Sequence, residues 1–254
     1  LEALFSAGVN RLSIGLQSTH EKHLASLGRV HTLEDFQHAY HEVRRIGFRN
    51  VSVDLILATP NQSMEDLEAD LAYILSLGPE HVSIYSLIIE EGTPFGDKYT
   101  EGEYPLPSPE IERKMYHLVI DTLTRNGFDH YEISNFSKPG YYSRHNLSYW
   151  LGKAYYGFGM GASSYVNGQR RLNGETFQTY EEQITSGHLG LLTETINKIE
   201  AIKEFFILRL RILTGFRLCE YRALFQEDIS TEHRSLLDIF IKEGYLMVDG
   251  DRYF

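Results

Sequence analysis

The stretch Gly47-Phe48-Arg49-Asn50-Val51-Ser52-Val53-Asp54-Leu55-Ile56-Leu57 decides the fold. A glycine is followed four residues later by an extended apolar segment. The same spacing recurs at Gly8-Val9-Asn10-Arg11-Leu12, Gly78-Pro79-Glu80-His81-Val82 and Gly127-Phe128-Asp129-His130-Tyr131. Each glycine is placed to close a helix and open a strand. The helices are legible from their caps and faces. Thr32 precedes a face of Phe36, Ala39, Tyr40, Val43 and Ile46, and Ser63 precedes one of Leu67, Leu71, Ile74 and Leu75. Ser108, with Pro109 at the first helical position, starts a third face of Ile111, Met115, Leu118, Val119 and Leu123. The strands Arg11 to Gln17, Val51 to Leu57 and Val82 to Ile89 have too few polar positions for one wet face, which predicts parallel strands buried on both sides.

Strands alternating with helices imply an α/β fold of right-handed crossovers that builds part of a barrel-like sheet. Chemistry in such sheets gathers where strands end and loops begin. Here that means Gln17 and Ser18, Asp54 to Pro60, and Ile88 to Glu91. After Tyr131 the texture turns aromatic and glycine-rich, and from about Thr176 it is helical again, with a long apolar helix around Ile199 to Leu210. Shorter helices follow, then Asp249-Gly250 between two short apolar runs, which reads as a hairpin. The expected organisation is a barrel portion over 1–173 and a small helical, winged-helix-like domain over 174–254.

Composition narrows the function. The chain has 254 residues with 24 Lys+Arg against 35 Asp+Glu, a net charge of -11, so it would repel a phosphate backbone unless its cations were segregated. A winged-helix nucleic-acid module is therefore only a remote alternative, since the last 56 residues carry no arginine-rich recognition helix. No apolar run reaches the ~20 residues of a membrane helix, and Leu1 to Phe5 lack the basic start of a signal peptide. A soluble cytoplasmic protein is the expectation. The single cysteine, Cys219, excludes any disulfide framework or multi-cysteine metal site built from this chain alone. A start at Leu1 in mid-helix and an end inside a hairpin suggest a piece of a longer protein.

Asp54 interrupts an apolar strand. It is either half of a structural ion pair or a carboxylate at the barrel mouth that grips a ribose hydroxyl or a ligand amine. Gln17 sits equivalently on the preceding strand. Gly157, Gly159 and Gly161 fall on every second residue, so in a strand one face would be bare, for close packing or for a ligand. His145 heads the aromatic run His145-Asn146-Leu147-Ser148-Tyr149-Trp150. If that run is helical, Tyr149 stacks on the imidazole side. The histidine is then either structural or an axial ligand for a flat macrocycle. His38 and His41, one turn apart without a third ligand, read as an exposed helix face.

Three runs resemble the radical S-adenosylmethionine proteins related to oxygen-independent coproporphyrinogen III oxidase. They are Val9 to Ser18, Val53-Asp54-Leu55-Ile56 with Pro60 and Gln62, and Tyr85 to Pro94. The segments Tyr131 to Phe136, His145 to Trp150 and Gly157 to Tyr165 narrow the resemblance to the heme-chaperone branch. It implies a partial (β/α) barrel with S-adenosylmethionine (SAM) and a 4Fe-4S cluster on a CxxxCxxC loop that is not among these residues. It implies SAM-binding roles for Gln17, Arg29 and Asp54, a second SAM site lined by Ile88, and heme binding by His145, Tyr149 and Trp150. In two places the chain departs from the pattern. Ala58-Thr59-Pro60 stands where Gly-Leu-Pro is usual, leaving the backbone less free to turn. Ser163 stands where the chaperone branch has histidine. The expected function is a heme chaperone that binds heme or porphyrin and delivers it to a heme-accepting protein. The alternative is oxidative decarboxylation of coproporphyrinogen III, an oxidoreductase activity, so whether the protein is an enzyme stays open.

Overall fold

The computed structural model describes residues 1–100, 105–188 and 190–254, which form two compact units, Leu1–Tyr142 and Ser143–Phe254. In chain order the first contains α1 (Glu2–Ser6), β1 (Leu12–Gln17), α2 (Glu21–Ser26), α3 (Leu33–Ile46), β2 (Val51–Leu57), α4 (Met64–Leu77), β3 (His81–Ser86), α5 (Pro94–Thr100), α6 (Pro109–Arg125), β4 (Asp129–Glu132) and β5 (Asn135–Ser137). The long helices begin where their caps predict. Thr32 and Asp35 exchange hydrogen bonds at the start of α3, Ser63 and Asp66 do so at α4, and Ser108 accepts from the Ile111 N–H at α6. Gly47 and Gly78 end α3 and α4 in left-handed backbone, φ 114° and 63°. A β-carbon at either would strain the turn into the next strand.

The five strands lie in the order β1-β2-β3-β5-β4, with β1, β2 and β3 parallel and β5 antiparallel to both neighbours. The fourth glycine unit does open a strand, but β5 folds back between it and β3, so the run of parallel neighbours stops at three. The strand after Gly78 ends at Ser86 rather than Ile89. The last ladder bond there runs from the Leu87 N–H to the Leu57 carbonyl, where β2 itself stops.

Only one face of this sheet is hydrocarbon. Leu16, Val51, Val53, Leu55, Leu57, Val82 and Ile84 pack in one cluster with Phe36, Tyr40 and Val43 of α3, Leu67, Leu71 and Ile74 of α4, and Met115, Val119 and Leu123 of α6. Each fully buried Leu, Ile or Val contributes about 1.5–3 kcal/mol. The other face carries Ser13, Ser52, Asp54, His81, Ser83 and Tyr85 at alternate positions. The expectation of strands apolar on both sides is corrected here, and β1 at the edge is only half-buried along most of its length. The inward polar groups satisfy one another. His81 Nδ1 lies 2.8 Å from Ser52 Oγ, its Nε2 lies 2.8 Å from Tyr131 Oη, and Ser52 Oγ lies 3.3 Å from Ser83 Oγ.

The second unit contains α7 (Arg144–Trp150), β6 (Ser163–Val166), β7 (Gln169–Leu172), α8 (Phe177–Thr185), β8 (Leu191–Thr195), α9 (Lys198–Arg209), β9 (Phe216–Arg217), α10 (Leu218–Phe225), α11 (Thr231–Lys242), β10 (Val248–Asp249) and β11 (Arg252–Tyr253). Helices α9 to α11 surround Ile202, Phe205, Phe216, Tyr221, Leu237 and Tyr253, and the terminal hairpin pairs with β9. This is the winged-helix-like layout. A second sheet, β6-β7-β8, precedes it, and β7 pairs with β8 across position 173, so the boundary expected there falls inside this unit. The Gly157 to Gly161 segment is not a strand. Gly159 and Gly161 turn it with φ 97° and 64°, and a β-carbon on Gly157 would land on the Ser163 carbonyl. Among the described residues no helix is long and apolar enough to cross a membrane.

Burial pushes His81 down to about 3, and the nearby Arg11 charge adds to the effect. Its folded value lies below the ordinary 6.5, so the unfolded chain binds more protons in between. The stabilising contribution is complete above about pH 6.5 and is lost as pH falls. From about pH 6.5 to 4.5 the stability of the first unit should drop by up to ~1.4 kcal/mol per pH unit. Chemical denaturation across that range should show the slope flattened in His81→Gln. The remainder would come from His130, which burial also holds low. An identical slope in the variant would contradict the assignment.

Candidate functional site

A cavity of about 300 Å³ opens at the carboxyl ends of β1, β2 and β3, lined by Gln17, Arg29, Asp54, Ile56, Tyr85, Ser86, Leu87 and Ile88. The structure thus brings Gln17, Arg29 and Asp54, expected at one cofactor site, into the same cavity as Ile88, expected at a second. Asp54 projects from β2 opposite Gly15. Both of its carboxylate oxygens accept from the Ser13 hydroxyl, at 2.8 and 2.9 Å, and one also accepts from Ser52 at 3.3 Å. Among the described residues no cation lies within ion-pair distance of it, so the structural ion pair is not what holds this carboxylate. Hydroxyls orient it, and the Arg11 charge acts on it only from beyond ion-pair distance.

Gln17 ends β1 with φ 66°, where the ladder with β2 shifts register. The Ser18 N–H donates to the Leu16 carbonyl across it at 2.9 Å. That closes a γ-turn of the uncommon left-handed kind, a conformation that costs on the order of 1–3 kcal/mol. The turn folds the Gln17 amide back over Gly15, where a β-carbon would come within 2.6 Å of Nε2. Glycine at position 15 leaves room for that amide. Arg29 follows α2, its N–H donating to the Leu24 carbonyl at 2.9 Å, and its side chain is exposed. Ala58, where a glycine was expected, adopts φ 60° while buried, so the backbone makes the left-handed turn despite the methyl group.

Tyr85 lines the same cavity and drew no role from the sequence. Burial raises its phenol above the ordinary range, and the charges of Asp54 and Glu132 add to this. Its period-two spacing from Ser83 and His81 on β3 was the available signal.

In the second unit α7 carries His145, Tyr149 and Trp150. The His145 ring is exposed and meets the Tyr149 ring edge-on at 4.9 Å, and Tyr149 meets Tyr155 at 4.6 Å. Tyr149 and Trp150 line a cavity of about 270 Å³ with Tyr155, Tyr165, Arg170 and Phe205. His145 stands outside it. The volume is below the range that buries a drug-sized ligand, so a macrocycle could enter only by an edge. The remaining candidates are dispersed: His38 and His41 are exposed on α3.

A sequence model of the Radical SAM superfamily matches residues 1–74, and one of the HemN C-terminal domain matches 196–254. A heme chaperone HemW of Bacillus subtilis is 40% identical over 247 residues, 97% of this chain and 65% of that protein. Its counterpart in Escherichia coli is 35% identical over 251 residues, 96% of this chain and 64% of that protein. The chain belongs to the HemW-like proteins of the radical SAM superfamily. The solved structure of coproporphyrinogen III oxidase (HemN) from Escherichia coli superposes with a TM-score of 0.78 at 19% identity, covering 98% of this chain and 61% of that one, which fixes the fold. This HemW-like chain spans just under two thirds of the length of the two HemW proteins.

Radical SAM membership implies S-adenosylmethionine and a 4Fe-4S cluster. The HemW-like chain's own donors do not fit the cluster. Its one cysteine, Cys219, is exposed on α10, and no group of three or more His, Cys, Asp or Glu side chains converges among the described residues. Thiolates for a cluster must come from outside these 254 residues. Anaerobic reconstitution of this chain with iron and sulfide is expected to leave iron well below stoichiometric. About four irons per chain with thiolate-to-iron absorption would contradict the donor analysis.

Proposed function

We propose that the strand-end cavity takes S-adenosylmethionine and that the chain serves in a heme chaperone, which binds heme and passes it to acceptor proteins. The observation that carries this reading is the 35–40% identity, over more than nine tenths of the chain, to proteins named heme chaperones. The cavity's chemistry supports the cofactor. Asp54, oriented by Ser13 and Ser52, offers a charged acceptor to a ribose hydroxyl or an ammonium group. The Gln17 amide supplies a donor and an acceptor beside it. Arg29 supplies a fork for a carboxylate, and Ile88 an apolar contact at the rim. When bound at a reduced cluster, S-adenosylmethionine supplies radical chemistry.

Heme is cargo in this reading. The exposed imidazole of His145 could offer a nitrogen to the heme iron, while Tyr149, edge-on to it, and Trp150 in the adjacent cavity would provide aromatic contact for one edge. The Arg211 guanidinium lies over the Trp150 ring, 4.3 Å from its centroid.

In the intact protein, Asp54→Asn should weaken S-adenosylmethionine binding by about 1–3 kcal/mol with the fold retained. Unfolding with unchanged affinity per folded molecule would instead assign Asp54 to structure. His145→Ala should shift the heme Soret band and speed heme loss, while His38→Ala should change neither. An unchanged spectrum and retention for His145→Ala would remove α7 from the heme site. Heme transfer to an acceptor, measured beside coproporphyrinogen decarboxylation, separates chaperone from oxidase.

A further inference from the structure

Helix α4 carries two aspartates, Asp66 and Asp70, one turn apart, and both reach across to the β1–α2 connection. Asp70 is fully buried. One of its oxygens accepts from the Thr19 N–H at 2.6 Å and from the Thr19 hydroxyl at 2.6 Å, and the Ser18 hydroxyl donates to the other at 3.1 Å. Ser18 Oγ in turn accepts from the His20 N–H at 3.1 Å. Asp66 accepts from Lys22 Nζ at 2.8 Å and lies 3.1 Å from His23 Nε2, while its backbone carbonyl lies 3.3 Å from His20 Nε2. Lys22 and His23 are on α2, the short helix that leads to Gly28 and Arg29.

The two carboxylates therefore hold two different things. Asp70 grips the residues that follow the left-handed turn at Gln17, a costly conformation whose own closure is the single Ser18 N–H bond to the Leu16 carbonyl. Asp66 holds α2, and through it the start of the segment bearing Arg29. Neither aspartate lines the cavity. Burial pushes the Asp70 carboxyl up, against the pull of the Thr19 and Ser18 bonds. Burial also pushes Asp66 up, but Lys22, Ser63 and His23 outweigh it and hold it below the carboxylate range. Asp66 also caps its own helix through Ser63, but a helix that needed only to pack against the sheet would carry hydrocarbon at position 70, as it does at Leu67, Leu71 and Ile74.

We propose that Asp70, assisted by Asp66, is a positioning residue of the strand-end pocket: it fixes the strained turn that presents Gln17 and the helix that leads to Arg29. The inference rests on the assignment of that pocket to S-adenosylmethionine. The pocket would lose its preformed shape without touching any ligand differently.

The test is equilibrium binding of S-adenosylmethionine to the full-length protein, scored per folded molecule, with the melting temperature followed in parallel. Asp70→Ala should weaken binding on the order of tenfold, since it removes a buried acceptor. Asp70→Asn should recover part of that loss, because a carboxamide can still accept from the Thr19 N–H and donate to the hydroxyls. Thr19→Val, which keeps the backbone bond and loses the hydroxyl, should fall between wild type and Asp70→Ala, and carries the test with Asp70→Asn should the alanine variant fail to fold. Glu68→Ala, on the exposed face of the same helix, should bind as wild type. Lowered melting temperatures with wild-type affinity in Asp70→Asn and Thr19→Val would overturn the positioning role, provided Asp54→Asn weakens binding. Wild-type affinity in Asp54→Asn as well would remove the pocket assignment itself, and the positioning role with it.

Discussion

The polar face of β1, β2 and β3 carries three serines, a carboxylate and an imidazole; Ser52, Ser83 and His81 are buried and Asp54 half-buried, and burying such groups costs several kcal/mol unless each finds a partner. The partners come from neighbouring strands: Ser13 for Asp54, Ser52 for His81, and Tyr131 on β4 for the far side of the same ring. A slip of one residue in the register of one of these strands would turn its polar groups toward the hydrocarbon cluster on the other face and break the bonds they make. The polar face therefore fixes strand order and register, and register fixes which side chains arrive at the strand ends. Gln17, Asp54 and Tyr85 reach one cavity because Gly15 stands opposite Asp54 and Ile56 opposite Tyr85.

That arrangement separates support from contact. Asp54 is oriented by hydroxyls and makes no ion pair among the described residues, whereas Asp70 is bound entirely by protein donors and is sealed from solvent. The same residue type serves two purposes because the environments differ. One stands at a strand end beside a cavity, and the other lies mid-helix between α4 and a turn. In the second unit the aromatic series His145, Tyr149, Tyr155 and Tyr165 runs from an exposed imidazole into a small cavity, a graded surface suited to a ligand with one apolar edge and one coordinating centre.

Much of the first unit was legible because its signals are local. Glycines in left-handed backbone, Thr32, Ser63 and Ser108 as caps, and Pro109 in the first turn each depend on a few adjacent residues. The polar inner face was less legible: Ser52, His81 and Ser83 do alternate, but the Ile and Val between them masked the pattern. The β5 strand and the β6-β7-β8 sheet were missed, since short strands such as Asn135–Ser137 gain their identity from a partner distant in sequence. Gln17, Arg29, Asp54 and Ile88 were named from their motifs before any geometry, yet the roles of Asp66 and Asp70 were not. Their spacing reads as an ordinary helix face, and only contacts across more than 40 residues reveal what they hold.

The central claim is that the cofactor sits at the strand ends of the first unit. Photo-crosslinking of the intact protein with an azido-adenine analogue of S-adenosylmethionine, followed by peptide mapping, tests it most directly. The account predicts labelled peptides from the segments containing Gln17 to Arg29, Asp54 to Pro60 and Tyr85 to Ile88, competed away by excess S-adenosylmethionine. Competed labelling confined to the second unit, around Tyr149, Tyr155 and Phe205, would contradict it.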